Sequence, residues 1–422
     1  MNNIRSIIMM NMILKRLTVA LTLLCSAFSV SAQRSLTLDE ALGIALKNNQ
    51  LIQSAEFRID YFKQMKKTST EIGKLSASWM HGQYNSLYQD NNLTFTQSIP
   101  FPTVLSNQHK LGQEQVIGAA KNLSVVKNEL AFQVKSSFYQ LQYLEALRLL
   151  ISSQDSLFED FARASSIRYK TGESNLLEKT TAESQLMEVK NQAALNLADV
   201  EIAKTHLQAL LKFETPVSAA GVLQKRELAQ VVDSISVAAN PQLNYLQHQS
   251  VISRQAKITE RSRMLPDLTI GYFNQSLIGT QNINGQDQRF NAGNRFQGFQ
   301  LGVSIPLWFG PQVARSKAAA FAELETKKNA EHFKTTLAGT FAQAQQELNK
   351  FSSSLNYYES SALKNANLIL TQSKKSFKAG EIGYIEYLQS LKNAIIIKSN
   401  YLQVLNQYNQ SVIKIEFLTG TL

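Results

Sequence analysis

The chain has 422 residues, 18% of them charged, with 43 Lys and Arg against 32 Asp and Glu for a net charge of +11. No dense basic run with interleaved aromatics accompanies that charge, so the composition argues against a nucleic-acid surface; the basic residues are spread along what read as solvated helix faces. The one cysteine, Cys25, lies near the N-terminus and leaves the rest of the chain without disulfide or thiol chemistry.

Residues 1–32 read as a signal peptide. Lys15 and Arg16 precede a short apolar run, and Val30, Ser31 and Ala32 fit a small-residue cleavage site before Gln33. The run is too short for a membrane-spanning helix. Met12 serves as a start as well as Met1, and a lipid anchor at Cys25 is disfavoured by Leu24, which stands where a small residue is needed. Removing Arg5, Lys15 and Arg16 with this segment lowers the net charge to +8.

From residue 36 to about 74, Leu38, Leu42, Ala45 and Leu46 recur at helical spacing, and Thr37 with Glu40 three positions on makes a capping box. Two strands of about ten residues are then predicted, 76–89 and 93–101, joined by a short polar turn at 90–92. In the second, Leu93, Phe95 and Ile99 alternate with Thr94, Thr96 and Ser98. Pro100 and Pro102 mark the strand-to-helix junction. A helix predicted over 104–170 carries Leu130, Val134, Leu141, Leu144, Leu147 and Ile151 at coiled-coil spacing, and would be roughly 100 Å long at 1.5 Å per residue. Gly172 interrupts it, and helix resumes to about residue 212.

The second half repeats the pattern: helix 229–263, strand 267–279, a long polar loop 280–294, strand 295–308, junction prolines Pro306 and Pro311, helix to about 378, Gly380, and a last helix to about 418. Sequence echoes support a duplication. "YKTGESNLLE" (169–178) returns as "FKAGEIGYIE" (377–386), aligning Lys170 with Lys378, Gly172 with Gly380, Glu173 with Glu381 and Glu178 with Glu386 at an offset of 208. Ser-Ile-Pro recurs at an offset of 206, and "NNQL" (48–51) returns as "NPQL" (240–243) at an offset of 192, so the second half carries an insertion between those markers. The expected organisation is a first repeat over 33–212, a linker over 213–227 and a second repeat over 228–422.

In the fourth strand Phe299, Leu301, Val303 and Ile305 share one face, and Gly298, Gln300, Gly302 and Ser304 the other. This alternation suits a transmembrane β-barrel strand with its apolar side toward lipid; a soluble sheet would look the same. Four strands cannot close a barrel, and open edges cannot sit in lipid. Either the strands form small soluble sheets or several chains pool them. Three chains would supply about twelve strands, between the filled eight-stranded barrel and the open sixteen-stranded one.

Taken in order, the signal peptide, the duplicated helix–hairpin–helix unit, "SIPFP" and "SIPLW" at the junctions and the paired glycine tips resemble the TolC-like outer-membrane efflux protein family over residues 36–419. The resemblance implies a mainly α fold with a small β part: a duplicated repeat whose long coiled-coil helices form a periplasmic tunnel, with four transmembrane strands per chain in a trimeric twelve-stranded barrel. It implies a passive conduit in the outer membrane that extends into the periplasm and requires no cofactor. The implied partners are two further copies of the chain, outer-membrane lipid, a periplasmic membrane-fusion adaptor and an inner-membrane resistance-nodulation-division pump. The segments "SIPLWFGPQVARSKAA" and "KAGEIGYIEYLQSLKNA" are similar to channels paired with heavy-metal pumps, which points to cation efflux; multidrug efflux and type I protein secretion remain alternatives. A periplasmic coiled-coil adaptor is the reading from a different class.

The resemblance assigns adaptor docking to the tips, Gly172, Glu173, Gly380 and Glu381, and the narrow periplasmic aperture to Glu386. A second acidic group often follows three positions later in the family; here Gln389 stands there. From the residues alone, Glu178 and Glu386 are third-position helix partners for free N–H groups. Enzyme chemistry finds little support. His81, His109, His206, His248 and His332 form no metal-spaced pair, Met65, Met80, Met187 and Met264 are scattered, and neither a phosphate-cradling loop nor a nucleophile elbow occurs.

Overall fold

The computed structural model describes residues 34–213, 215–228 and 234–421. The predicted signal peptide, with Cys25 and both candidate start methionines, lies outside them. In chain order the elements are β1 (Arg34–Leu36), α1 (Leu38–Asn48), α2 (Gln50–Lys67), β2 (Ser76–Gly82), β3 (Asp90–Ile99), α3 (Pro102–Lys170), α4 (Leu176–Leu211), β4 (Val217–Ala219), α5 (Pro241–Ser262), β5 (Asp267–Ser276), β6 (Gly279–Ile283), β7 (Gln286–Phe290), β8 (Arg295–Ser304), α6 (Gly310–Tyr357), a π-turn (Tyr358–Ala362), α7 (Leu363–Lys378) and α8 (Tyr384–Thr419). The chain is mainly helical with a small β part, as expected. The helix–strand–strand–helix order occurs twice, the second time with the extra hairpin β6–β7 between its strands.

The structure revises several boundaries. The first helix is two: Asn49 breaks it and caps α2, its Oδ1 accepting from Leu51 N at 2.8 Å. The capping box forms as predicted, with Thr37 N donating to Glu40 Oε2 at 2.9 Å and Glu40 N to Thr37 Oγ1 at 3.3 Å. Thr37→Ala is expected to cost about 1 kcal/mol and to speed amide exchange across residues 38–41. Unchanged hydrogen–deuterium exchange there would remove the box from the helix's support. The first hairpin turns at 83–89, not 90–92, because Asp90 is already the first residue of β3. Of the helix predicted from 229, residues 229–233 lie outside the described residues, Ser234–Ala239 form a short 3-10 turn, and the α-helix starts at Pro241, where Asn240 Oδ1 accepts from Leu243 N at 2.9 Å. The predicted polar loop is the hairpin β6–β7, turning through Asn284 and Gly285, both with positive φ (52° and 84°). Consecutive positive φ is what a two-residue Asn-Gly turn requires.

Two compact units draw on both repeats. One comprises the residues up to Asn48 with 133–225 and 351–410, the other 49–132, 226–350 and 411 onward. In the first, β1 pairs in parallel with β4, Leu36 opposite Ala219, so the predicted linker contains a strand. Leu36 and Val217 are fully buried, as are Leu207 and Leu211 of α4. Gln142 Nε2 donates to Ala220 O at 2.9 Å and Asn409 Nδ2 to Gln224 O at 2.8 Å, which satisfies linker carbonyls from helical side chains. The second unit has a core of Leu243, Leu337, Phe341, Ala344, Ile415 and Leu418. There Arg226 grips Glu416 bidentately, Nε donating to Oε1 at 3.0 Å and Nη2 to Oε2 at 3.0 Å, and Glu416 is 5% exposed. A fork–fork pair satisfies a buried carboxylate with fixed geometry.

Candidate functional sites: a two-faced sheet and two glycine-capped tips

The second unit holds a four-stranded antiparallel sheet in the order β2-β3-β5-β8. Its register aligns the alternation of every strand. Trp79 stands opposite Leu93, Phe95 opposite Tyr272, Ile270 opposite Leu301, and Tyr272 opposite Phe299. One face is therefore apolar across all four strands, with Gln97, opposite Ile270, as a polar residue within the band. The other carries Ser76, Ser78, Thr94, Thr96, Thr269, Gln300 and Gly302, since neighbours along a strand point to opposite faces.

The apolar face is uncovered: Phe299 is 82% exposed, Leu301 85% and Trp79 68%. Val303 belongs to the same face, while Ile305 falls one residue past the end of β8; both are exposed. At one end of this face Arg295 bonds to Asn274 and Asn91, and Tyr272 Oη donates to Gln297 Oε1 at 2.6 Å, so the apolar band gives way to a polar rim. An exposed apolar patch of this extent marks a contact with lipid or protein. The outer edges, β2 and β8, each leave one row of backbone groups without a strand partner among the described residues. The sheet ends at prolines: Pro100 follows β3, Pro102 is the first residue of α3, Pro306 follows β8 and Pro311 is the second residue of α6. Proline removes a ladder donor and is tolerated in a first helical turn.

The first unit holds both tips. At the first, α3 ends, Gly172 takes φ +76°, and Glu173 N donates back to Arg168 O at 2.8 Å. Asn175 then caps α4, its Oδ1 accepting from Glu178 N at 2.9 Å. The second is built alike: α7 ends, Gly380 takes φ +74°, Glu381 N donates to Ser376 O at 2.9 Å, and Tyr384 opens α8. The left-handed glycine with the long return bond is a Schellman close. It leaves Glu178 and Glu386 at the third helical position, as the sequence repeat implied.

The two tips are bound to each other. Phe161 of α3 stacks on Tyr384 at 4.7 Å and packs on Tyr387 at 5.7 Å, and Tyr384 Oη donates to Glu178 O at 2.9 Å, while Phe377 stacks on Tyr387 at 4.5 Å within the second tip. Burial, with the Glu178 carboxylate near it, pushes the Tyr384 hydroxyl up to about 12, so it stays protonated and donating. The glutamates diverge: Glu178 is half-buried with Oε2 lacking a hydrogen-bond partner, whereas Glu386 is exposed, as are Gln389, Glu173 and Glu381. Sequence reasoning missed this aromatic clamp. Phe161, Phe377, Tyr384 and Tyr387 come from three separate segments, and only Phe377 and Tyr384 fall inside the repeated string. Among the described residues no group of three or more His, Cys, Asp or Glu side chains is arranged to hold a metal ion, and no helix is long and apolar enough to cross a membrane.

A two-faced antiparallel sheet joined through prolines to very long helices, repeated within one chain and closed by paired glycine tips, is the fold of the TolC-like outer-membrane channels. The chain is 22% identical to the cobalt-zinc-cadmium resistance protein CzcC of Cupriavidus metallidurans, in an alignment covering 94% of this chain and 93% of that protein. Among solved structures, CusC superposes with a TM-score of 0.74 over 90% of this chain and 91% of its own, at 15% identity. The Campylobacter jejuni outer-membrane channel CmeC gives 0.73 over 91% and 85%, at 13% identity. The open Neisseria gonorrhoeae MtrE channel gives 0.73 over 91% and 88%, also at 13%. No protein-family model matches the sequence.

Proposed function

We propose that this chain is the outer-membrane channel subunit of a tripartite efflux system, a passive trimeric conduit. The observation that carries the proposal is the continuous apolar face of β2-β3-β5-β8 with two free edges. Such a sheet cannot sit in lipid alone, because each unpaired edge group would cost several kcal/mol there. All four strands alternate in direction, so β8 of one copy meets β2 of the next in antiparallel order, and a ring of copies hides every edge. The polar face then lines the lumen and the long helices continue the conduit into the periplasm. The tips around Gly172 and Gly380 receive a membrane-fusion adaptor, and an inner-membrane pump supplies the energy. Likeness to a cobalt-zinc-cadmium resistance protein favours divalent cations as cargo.

The oligomeric state tests this directly. Protein extracted from the outer-membrane fraction is expected to run as a trimer in light scattering coupled to size-exclusion chromatography. A monodisperse, folded monomer in micelles would overturn the barrel.

A further inference from the structure

The polar face of the sheet is not uniformly polar. In the second hairpin it carries Phe273 and Phe296, and the inserted hairpin adds a third ring: Phe290, the last residue of β7, packs on Phe296 at 5.4 Å between centroids. Phe273 lies over Gly298, where a Cβ would stand 2.9 Å from its ring atoms. All three rings are half-buried. The first hairpin differs at the matching places. An offset of 206 sets Asp90 against Phe296 and Asn92 against Gly298, and Met80, paired with Asn92, takes the place of Phe273.

The charge on this face is one-sided. Asp267 belongs to it, as does Asp90, which is fully buried with Ile278 N donating to its Oδ1 at 2.9 Å, and no Lys or Arg of β2, β3, β5 or β8 does. Arg295 points to the apolar face, held by Asn274 and Asn91. Arg289 neighbours Phe290 and so lies on the opposite side of its strand. In a chain of net charge +11, a surface free of basic groups yet furnished with aromatic faces is electrostatically suited to cations. A hydrated metal ion gains little from a benzene ring, whereas an organic ammonium, weakly hydrated and apolar at its rim, gains both a cation–π contact and apolar burial.

We propose that Phe273, Phe290 and Phe296 form a shallow site for organic cations on the lumen side of the barrel. The inference rests on the reading that the polar face lines a channel, and it widens the cargo beyond bare metal ions. The site would be repeated in each copy and would retard quaternary and protonated amines during passage.

The test is block of potassium current by benzyltrimethylammonium across purified trimers in planar bilayers. Phe296→Ser and Phe290→Ser are each expected to raise the half-blocking concentration about fivefold or more, the loss of one ring contact. Phe296→Tyr should block like the parent, and Phe296→Leu should fall between the parent and the Ser variant, because Leu keeps the apolar bulk without the ring face; a Leu variant that blocks like the parent overturns the aromatic site. Block that is equal in parent, Ser and Leu variants, in trimers that conduct, overturns the aromatic site and leaves the channel standing. Absence of any conductance from the parent trimer overturns the channel reading and this inference with it.

Discussion

Leu301→Arg is expected to abolish heat-resistant trimers, while Gln300→Arg leaves them intact and alters conductance. The two residues are adjacent in β8 and therefore face opposite ways. Leu301 stands opposite Ile270 on the apolar face, and Gln300 stands opposite Gly271 on the polar one. Near the bilayer midplane a lipid-facing arginine costs about 2–4 kcal/mol, while a lumen-facing one is solvated. Each trimer would incur that penalty once per copy. Semi-native electrophoresis of outer-membrane extracts reads assembly, and bilayer recordings read the lumen. Equal tolerance of both changes would mean that the apolar face does not meet lipid.

How much of this was legible in the sequence depends on how local the signal is. The strand faces could be read because period-two alternation is written into adjacent residues: Phe299, Leu301 and Val303 were placed on one face, and the register keeps them there. The tips could be read because a left-handed turn demands glycine, and the demand appears twice in one chain. The hairpin β6–β7 was missed although Asn284-Gly285 is a strong turn signal, since the flanking Gln, Asn, Thr and Arg side chains give no hydrophobic alternation. The pairing of β1 with β4 was beyond reach: three-residue strands have no period, and their partner is set by tertiary packing. The aromatic clamp at the tips failed for the same reason, its rings being periodic only within their separate helices.

At the tips, Gly380→Val is expected to reduce export sharply while trimers persist. The φ of +74° is a conformation that a β-branched residue enters only with strain, on the order of 1–3 kcal/mol. Nothing within 4 Å obstructs a Cβ at Gly172 or Gly380 within the chain itself. Any steric effect of a Cβ beyond the backbone strain therefore comes from another chain, a neighbouring copy or a docked partner. Comparing adaptor binding with thermal stability separates the two: a loss of export matched entirely by a loss of stability would make the glycine a turn residue and nothing more. Glu386→Gln distinguishes the roles of its carboxylate. If Glu386 lines the aperture, cation preference falls and stability holds. If it only complements the N-terminus of α8, selectivity stays and stability drops by about 0.3–1 kcal/mol. Glu178 makes the useful contrast, because its side chain is half-buried beside the Tyr384 bond.

The parallel pair of β1 and β4 gives the chain a particular order of events during biogenesis. Residues 34–36 are the earliest described part of the chain to be synthesised, yet their partners at 217–219 lie about 180 positions later. Closing so distant a contact carries a loop-entropy cost before any ladder bond rewards it. The buried Leu36 and the strand around it must therefore wait, unpaired, until all of the first repeat has been delivered. The pair works as a late clasp, closing only after the whole first repeat exists.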